Sequence, residues 1–168
     1  PGDICASCHM RDACPDQTSC LHLVASAGSS KETGDEWTNL DGFFRRFPIG
    51  VRKVGKIAST AEPIEVPEIT SQPHWIARLD WATAEGIRAF GGQPLVHQGK
   101  VLGVLAVFTR ACLGEENLTW MRMIADHAAA AIANARAFEE IERLKGQLEL
   151  ERDYLRDEVL EAHGFVDI

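Results

Sequence analysis

The chain has no apolar run approaching the ~20 residues that a bilayer-spanning helix needs, and no leader with basic, apolar and small-residue blocks is visible. These absences exclude an α-helical membrane span in this sequence and point to a cytosolic protein. Basic residues are also scarce. Lys and Arg number 17 against 25 Asp and Glu, a formal charge of −8. The basic residues are interleaved with acids, which argues against direct nucleic-acid binding, since neutralising phosphates needs clustered Lys and Arg. A P-loop is missing, and so is an HExxH helix. Beyond residue 20 the only cysteine is Cys112, and from Glu115 to Leu160 there is no proline and one glycine, Gly146. The chain opens at Pro1 instead of Met, as expected for a piece of a longer protein.

What is present is first a cysteine cluster: Cys5, Cys8, Cys14 and Cys20. The Cys-x-x-Cys pair lets two thiolates grip one ion from a tight turn, and two more thiolates complete a shell of four sulfurs. Zinc and an iron–sulfur cluster are both held this way, and the spacing does not separate them. Two local disulfides, or four inert thiols, are the alternatives. In a cytosolic protein a tight cysteine cluster more often binds metal. His9 and His22 are substitute ligands.

The stretch Ile87–Phe108 is the second feature. Two apolar runs flank Gln98-Gly99-Lys100, whose glycine suits a positive φ, so a β-hairpin is expected. The second run is nearly continuous in apolar residues, which predicts a central strand covered on both faces. Gly103 inside it predicts a bulge or a close backbone approach. Upstream, Leu21–Ala27 reads as a strand, 28–40 as a polar loop, and Arg45–Pro48 as a strand end before a turn. Val51, Val54, Ile57 and Ala58 have helical spacing within Gly50–Thr60. Ile64–Val66, fenced by Pro63 and Pro67, suits an edge strand. Ser71–Trp81 reads as a long loop whose His74, Trp75, Arg78, Asp80 and Trp81 would line a small-molecule pocket. Arg88 suits an anionic group. The alternative is that the aromatics close the core.

From Glu115 a single helix is expected, with Glu115 and Glu116 favouring its N-terminal dipole. Its first half is alanine-rich. Its second half places Ile141, Leu144, Leu148 and Leu155 at 3, 4 and 7 spacing, the core positions of a coiled coil, with Glu151 at the position between. Such a stripe should pair, most simply as a parallel homodimer.

The run Gly86-Ile87-Arg88-Ala89-Phe90-Gly91-Gly92-Gln93-Pro94-Leu95-Val96, with Gly99–Phe108, resembles the closing strands of a GAF domain, and Leu118–Glu142 resembles that family's last helix. The resemblance covers roughly Leu21–Glu142. It implies an α+β sandwich: a central antiparallel sheet with helices packed on it, followed by a long signalling helix. The stretch Leu150–Val159 with Gly164–Ile168 is similar to the linker before the AAA+ ATPase domain of sigma-54-dependent transcriptional activators of the formate-hydrogenlyase-activator type. The cysteine segment resembles those of regulatory GAF domains linked to an iron–sulfur centre. Most of the helix and strand that open a GAF domain before Leu21 are missing, and no cysteine stands where phytochrome GAF domains attach a bilin.

The resemblance implies four segments: a cysteine-rich metal-binding segment at 1–20, a GAF sensory domain at 21–137, a coiled-coil linker at 138–163, and the start of an AAA+ domain at 164–168. The function it implies is a non-catalytic sensory module. The signal is redox state, oxygen or metal at Cys5, Cys8, Cys14 and Cys20, or a small-molecule effector near His74, Trp75, Trp81 and Arg88. Relay runs through a dimeric coiled coil to an AAA+ ATPase. The alternatives are an enzyme resembling GAF-fold free methionine sulfoxide reductases, and a ligand-free dimerisation module.

Overall fold

The computed structural model of the chain describes residues 19–40, 45–71, 76 and 78–164. Cys5, Cys8, Cys14, His74, Trp75 and residues 165–168 lie outside the described residues. Two units separate between Ala129 and Ala130.

The first unit carries two antiparallel sheets. Strand β1 (Cys20–His22) pairs with β2 (Arg46–Pro48) in the register Cys20–Pro48, Leu21–Phe47 and His22–Arg46. One further bond, Leu23 N–H to the Arg45 carbonyl at 2.8 Å, extends the pairing. The strand expected over Leu21–Ala27 is therefore three residues long and starts one residue earlier. Val24 beyond it is 79% exposed.

Helix α1 (Arg52–Thr60) follows the turn after Pro48, and Ala61 in the left-handed conformation ends it, its N–H bonded to the Ile57 carbonyl. Strand β3 (Ile64–Val66) sits at one edge of a three-stranded sheet, as its flanking prolines predict. A short 3-10 turn (Ile69–Ser71) and helix α2 (Leu79–Ala84) lead to β4 (Ala89–His97) and β5 (Lys100–Thr109).

The β4–β5 hairpin closes through Gln98 and Gly99, with φ of 50° and 77°. Two consecutive positive φ values fit the type I′ turn, whose twist matches that of paired strands. Leu95 pairs with Gly103 and Val96 with Val101, so Leu102 is the extra residue of a bulge beside Gly103.

Among the described strands the central one is β4, and this corrects the expectation for β5. Among the described strands the order is β3-β4-β5. The continuous apolar run of β5 is half-exposed, whereas Ala89 to Gln93 of β4 are all buried. Two adjacent glycines explain the difference. A Cβ on Gly92 would collide with Cδ1 of Ile57 from α1, and one on Gly91 would lie 2.9 Å from the Met121 sulfur. Without side chains there, one helix lies close on each face of β4.

The core on the α1 face gathers Ile57, Val66, Ile69, Ala82, Ile87 and Phe90. Phe90 and Ile57 are completely buried, and each such burial contributes roughly 1.5–3 kcal/mol.

Helix α3 (Glu115–Gly164) begins in this unit, with Met121, Ala125 and Ala129 buried. The second unit is the remainder of α3, where Ile141, Leu144, Leu148 and Leu155 are 59, 44, 65 and 51% exposed. None of the described helices is long and apolar enough to cross a membrane.

Candidate functional site

Trp81 lies in α2 instead of the expected loop, because the helix starts at Leu79. The first turn carries Asp80, whose carboxyl is held at about 2 mainly by its hydrogen bond from Arg78. Both side chains of that pair are more than half exposed, so the pair adds little to stability.

Trp81 packs against the core and anchors a row of four aromatic rings. Trp37 meets it at 5.6 Å between centroids, and Phe108 stands edge-on to it at 5.8 Å. Phe108 in turn meets Phe90 at 5.1 Å. Such edge-on and tilted contacts are each worth about 0.5–1.5 kcal/mol beyond burial.

A cation stands at each end of the row. The Arg110 guanidinium lies 5.7 Å from the Trp37 ring, and the Lys53 ammonium lies 4.8 Å from that of Phe90. Lys53 is buried on the inner side of α1, and burial, with Arg52 beside it, lowers its pKa to about 8. Phe108 is 41% exposed, which leaves the middle of the row accessible at one side.

Arg110 also fastens the loop that carries Trp37. Its Nε donates to the Glu85 carbonyl and its Nη2 to the Ser29 carbonyl, both at 2.8 Å, and Nη2 reaches Glu85 Oε2 at 3.0 Å. The buried Glu85 carboxylate accepts from the Ser30 hydroxyl and from the Lys31 N–H, each at 2.6 Å. Those two bonds, with Arg110, hold its pKa below the usual carboxylate range. The loop is closed on itself by the Ser29–Glu36 bridge and by Trp37 N–H to the Gly28 carbonyl at 2.8 Å.

Arg88 projects elsewhere. Its Nη2 meets Glu68 Oε2 at 3.2 Å on the surface, with the side chains 55 and 38% exposed. Its backbone serves the fold: Arg88 N–H donates to Thr109 and its carbonyl accepts from Ile69.

Cys20 is the one residue of the four-cysteine cluster among the described residues, where it opens β1 half-buried. Cys112 is exposed just beyond β5. Among the described residues, no three His, Cys, Asp or Glu side chains gather as a metal site.

No local sequence signal marks Trp37, Glu85 or Arg110 as part of a site. Only Lys53 left a trace. It falls on the inner face of a helix whose Val54 and Ile57 define that face, and a lysine there signals either a buried amine or a broken pattern.

The GAF domain family model matches residues 6–132. None of the curated proteins matches the sequence. Among solved structures, the chain is similar to the GAF domain from a phosphoenolpyruvate-protein phosphotransferase of Coxiella burnetii. Identity is 29% over 56% of this chain and 57% of that one, with a TM-score of 0.48. It is also similar to a type II free methionine-R-sulfoxide reductase from Thermoplasma acidophilum, at 14% identity over 56% of this chain and 64% of that one, TM-score 0.47. The free methionine-R-sulfoxide reductase from Neisseria meningitidis is 19% identical over 55% of this chain and 54% of that one, TM-score 0.46. The matched parts thus span less than two thirds of each of these structures. With the family model covering most of its length, this chain belongs to the GAF domain family.

Proposed function

We propose that this chain is the non-catalytic, signal-sensing GAF module of a sigma-54-dependent transcriptional regulator, and that it relays its signal through α3 paired with α3 of a second copy. The observation that carries this reading is the stripe Ile141, Leu144, Leu148 and Leu155. All four are more than two-fifths exposed on a helix that runs on from the sensory fold. Apolar residues at coiled-coil spacing call for a partner helix. The link to a following AAA+ domain is supported by the sequence of 150–168 alone.

The input in this reading is redox state, oxygen or metal at Cys5, Cys8, Cys14 and Cys20, with zinc or an iron–sulfur cluster as the bound group. Cys20 is itself the first residue of β1, so a change at its thiolate acts directly on a residue of the sheet. A ligand can shift an equilibrium only by its differential affinity for two arrangements, and here those are two arrangements of the helix pair.

The test is metal analysis and hydrogen exchange over residues 138–160 on protein purified without oxygen, before and after oxidation. The expected result is bound iron or zinc and a change in protection that vanishes when all four cysteines become serine. Metal-free protein with unchanged protection would overturn the cysteine input.

A second input is favoured by the half-exposed Phe108 standing edge-on to Trp81. It is a small-molecule effector beside Trp81, with His74 and Trp75 as the sequence suggests, whereas Arg88 is engaged by Glu68. Turnover of free methionine sulfoxide with a thiol reductant would contradict the non-catalytic assignment.

A further inference from the structure

We infer that Lys53 is a carbon dioxide site, at which the buried amine adds the gas to form a carbamate. The inference goes beyond the inputs proposed above and depends neither on the cysteines nor on the pairing of α3.

Lys53 lies one helical turn before Ile57 on the inner face of α1, and both are buried. The strand residues under that face follow from the register. Gly92 lies under Ile57, and the β4–β5 pairing sets Phe90 beside Phe108, Gly92 beside Ala106 and Pro94 beside Val104. Directly opposed residues share a face, so β4 and β5 present α1 with a surface that carries no ionisable side chain at these positions. The Lys53 ammonium stands 4.8 Å from the centre of the Phe90 ring. Phe108, next in the row, is half-exposed and joins this apolar face to solvent. A small uncharged gas enters such a place at little cost, whereas a charged or bulky electrophile is kept out.

The reaction needs a neutral amine, because the nitrogen lone pair forms the new bond. Burial, with Arg52 beside it, lowers the Lys53 pKa to about 8, so about a tenth of the amine is neutral near pH 7. The lone pair attacks the carbon of carbon dioxide, one C–O π bond opens, and a proton leaves the nitrogen for solvent. One amine and one carbon dioxide thus give one carbamate anion and one proton, with no oxidant or reductant.

The surroundings favour the charge of the product over that of the reactant. Lys53 is the second residue of α1, and the N-terminal end of a helix favours anions and disfavours cations. The first turn of α1 holds no acidic residue, and the Val51 side chain does not cap it. Arg52, which repels the ammonium, attracts the carbamate. Capture turns a cation into an anion at one end of the aromatic row, and that reversal is the signal the site supplies.

The experiment uses the whole chain with isotope-labelled lysine nitrogens, equilibrated with labelled carbon dioxide and bicarbonate near neutral pH and read by carbon NMR. The expected result is a carbamate resonance split by its bonded nitrogen, present in the native chain and lost in Lys53→Met. Arg52→Glu should weaken it roughly tenfold, since a carboxylate there favours the ammonium and repels the carbamate. An oxonium alkylating agent then fixes the carbamate as its ester for peptide mass spectrometry. At least about tenfold more ester is expected on Lys53 than on exposed Lys56 and Lys100, because each unit by which an amine's pKa falls raises its neutral fraction near neutrality about tenfold. A native chain with no nitrogen-coupled resonance, a resonance that survives Lys53→Met, or equal ester on the three lysines overturns the inference. Should Lys53→Met fail to fold, the position of the ester in the native chain decides.

Discussion

Glu85 and Arg110 are joined twice, carboxylate to guanidinium at 3.0 Å and backbone carbonyl to Nε at 2.8 Å. Arg110 follows β5 directly and Glu85 follows α2, so the pair ties the hairpin to the helix that carries Trp81. Through Ser30 and Lys31 it also ties down the loop that carries Trp37. This connection should be sensitive to acid. The folded-state pKa of Glu85 lies below its unfolded value, so its contribution is present above the unfolded carboxylate range and is lost as pH falls through the folded value. Urea unfolding between pH 6 and the acid limit should show a steeper acid loss for the native chain than for Glu85→Gln. The variant should also be less stable at neutral pH. Coincident acid limbs would contradict the linkage.

Lys53 sets a slope of the same sign on the alkaline side. Its pKa is about 8 in the folded chain, below the ordinary lysine value of 10.5. Between those values the unfolded chain binds the extra proton, so stability rises with pH. Urea midpoints measured from neutral pH to about pH 10 should rise more for the native chain than for Lys53→Met, in which the titrating amine is gone. Equal slopes would mean that the amine is solvated in the folded chain.

The two glycines of β4 should differ in tolerance. Gly92→Ala drives a Cβ into the side chain of Ile57, which is fully buried and has little room to move. Overpacking of this kind costs about 1–3 kcal/mol. Gly91→Ala meets the Met121 thioether and Leu113, and a flexible methionine adapts at lower cost. Thermal unfolding should therefore rank the native chain first, Gly91→Ala second and Gly92→Ala last. The reverse order of the two variants would contradict the packing described for the two faces of β4.

Local chemistry made much of this fold legible. Gly99 between two apolar runs marks the hairpin, the prolines around Ile64–Val66 mark an edge strand, and the long stretch without proline from Glu115 marks α3. These signals act within a few residues of where they are read. The rank of β4 over β5 depends on which strand has partners on both sides, and an apolar run in β5 does not reveal that. Trp81 reads as part of a loop because Pro73 and the polar residues around it obscure the start of a six-residue helix. Arg110 and Glu85 are 25 residues apart, and a single charged residue after a strand carries no sign of a distant partner. Arg88 has the chemistry for an anion, but its guanidinium meets Glu68 on the surface.

The most direct test of the account is the mass of the native chain in solution, by light scattering over a range of concentrations beside Leu148→Lys. The account predicts a dimer, twice 18.5 kDa, which the lysine in the apolar stripe converts to monomer without loss of the folded sheet. A native chain that remains at 18.5 kDa throughout would contradict the pairing of α3, and with it the proposed route of the signal.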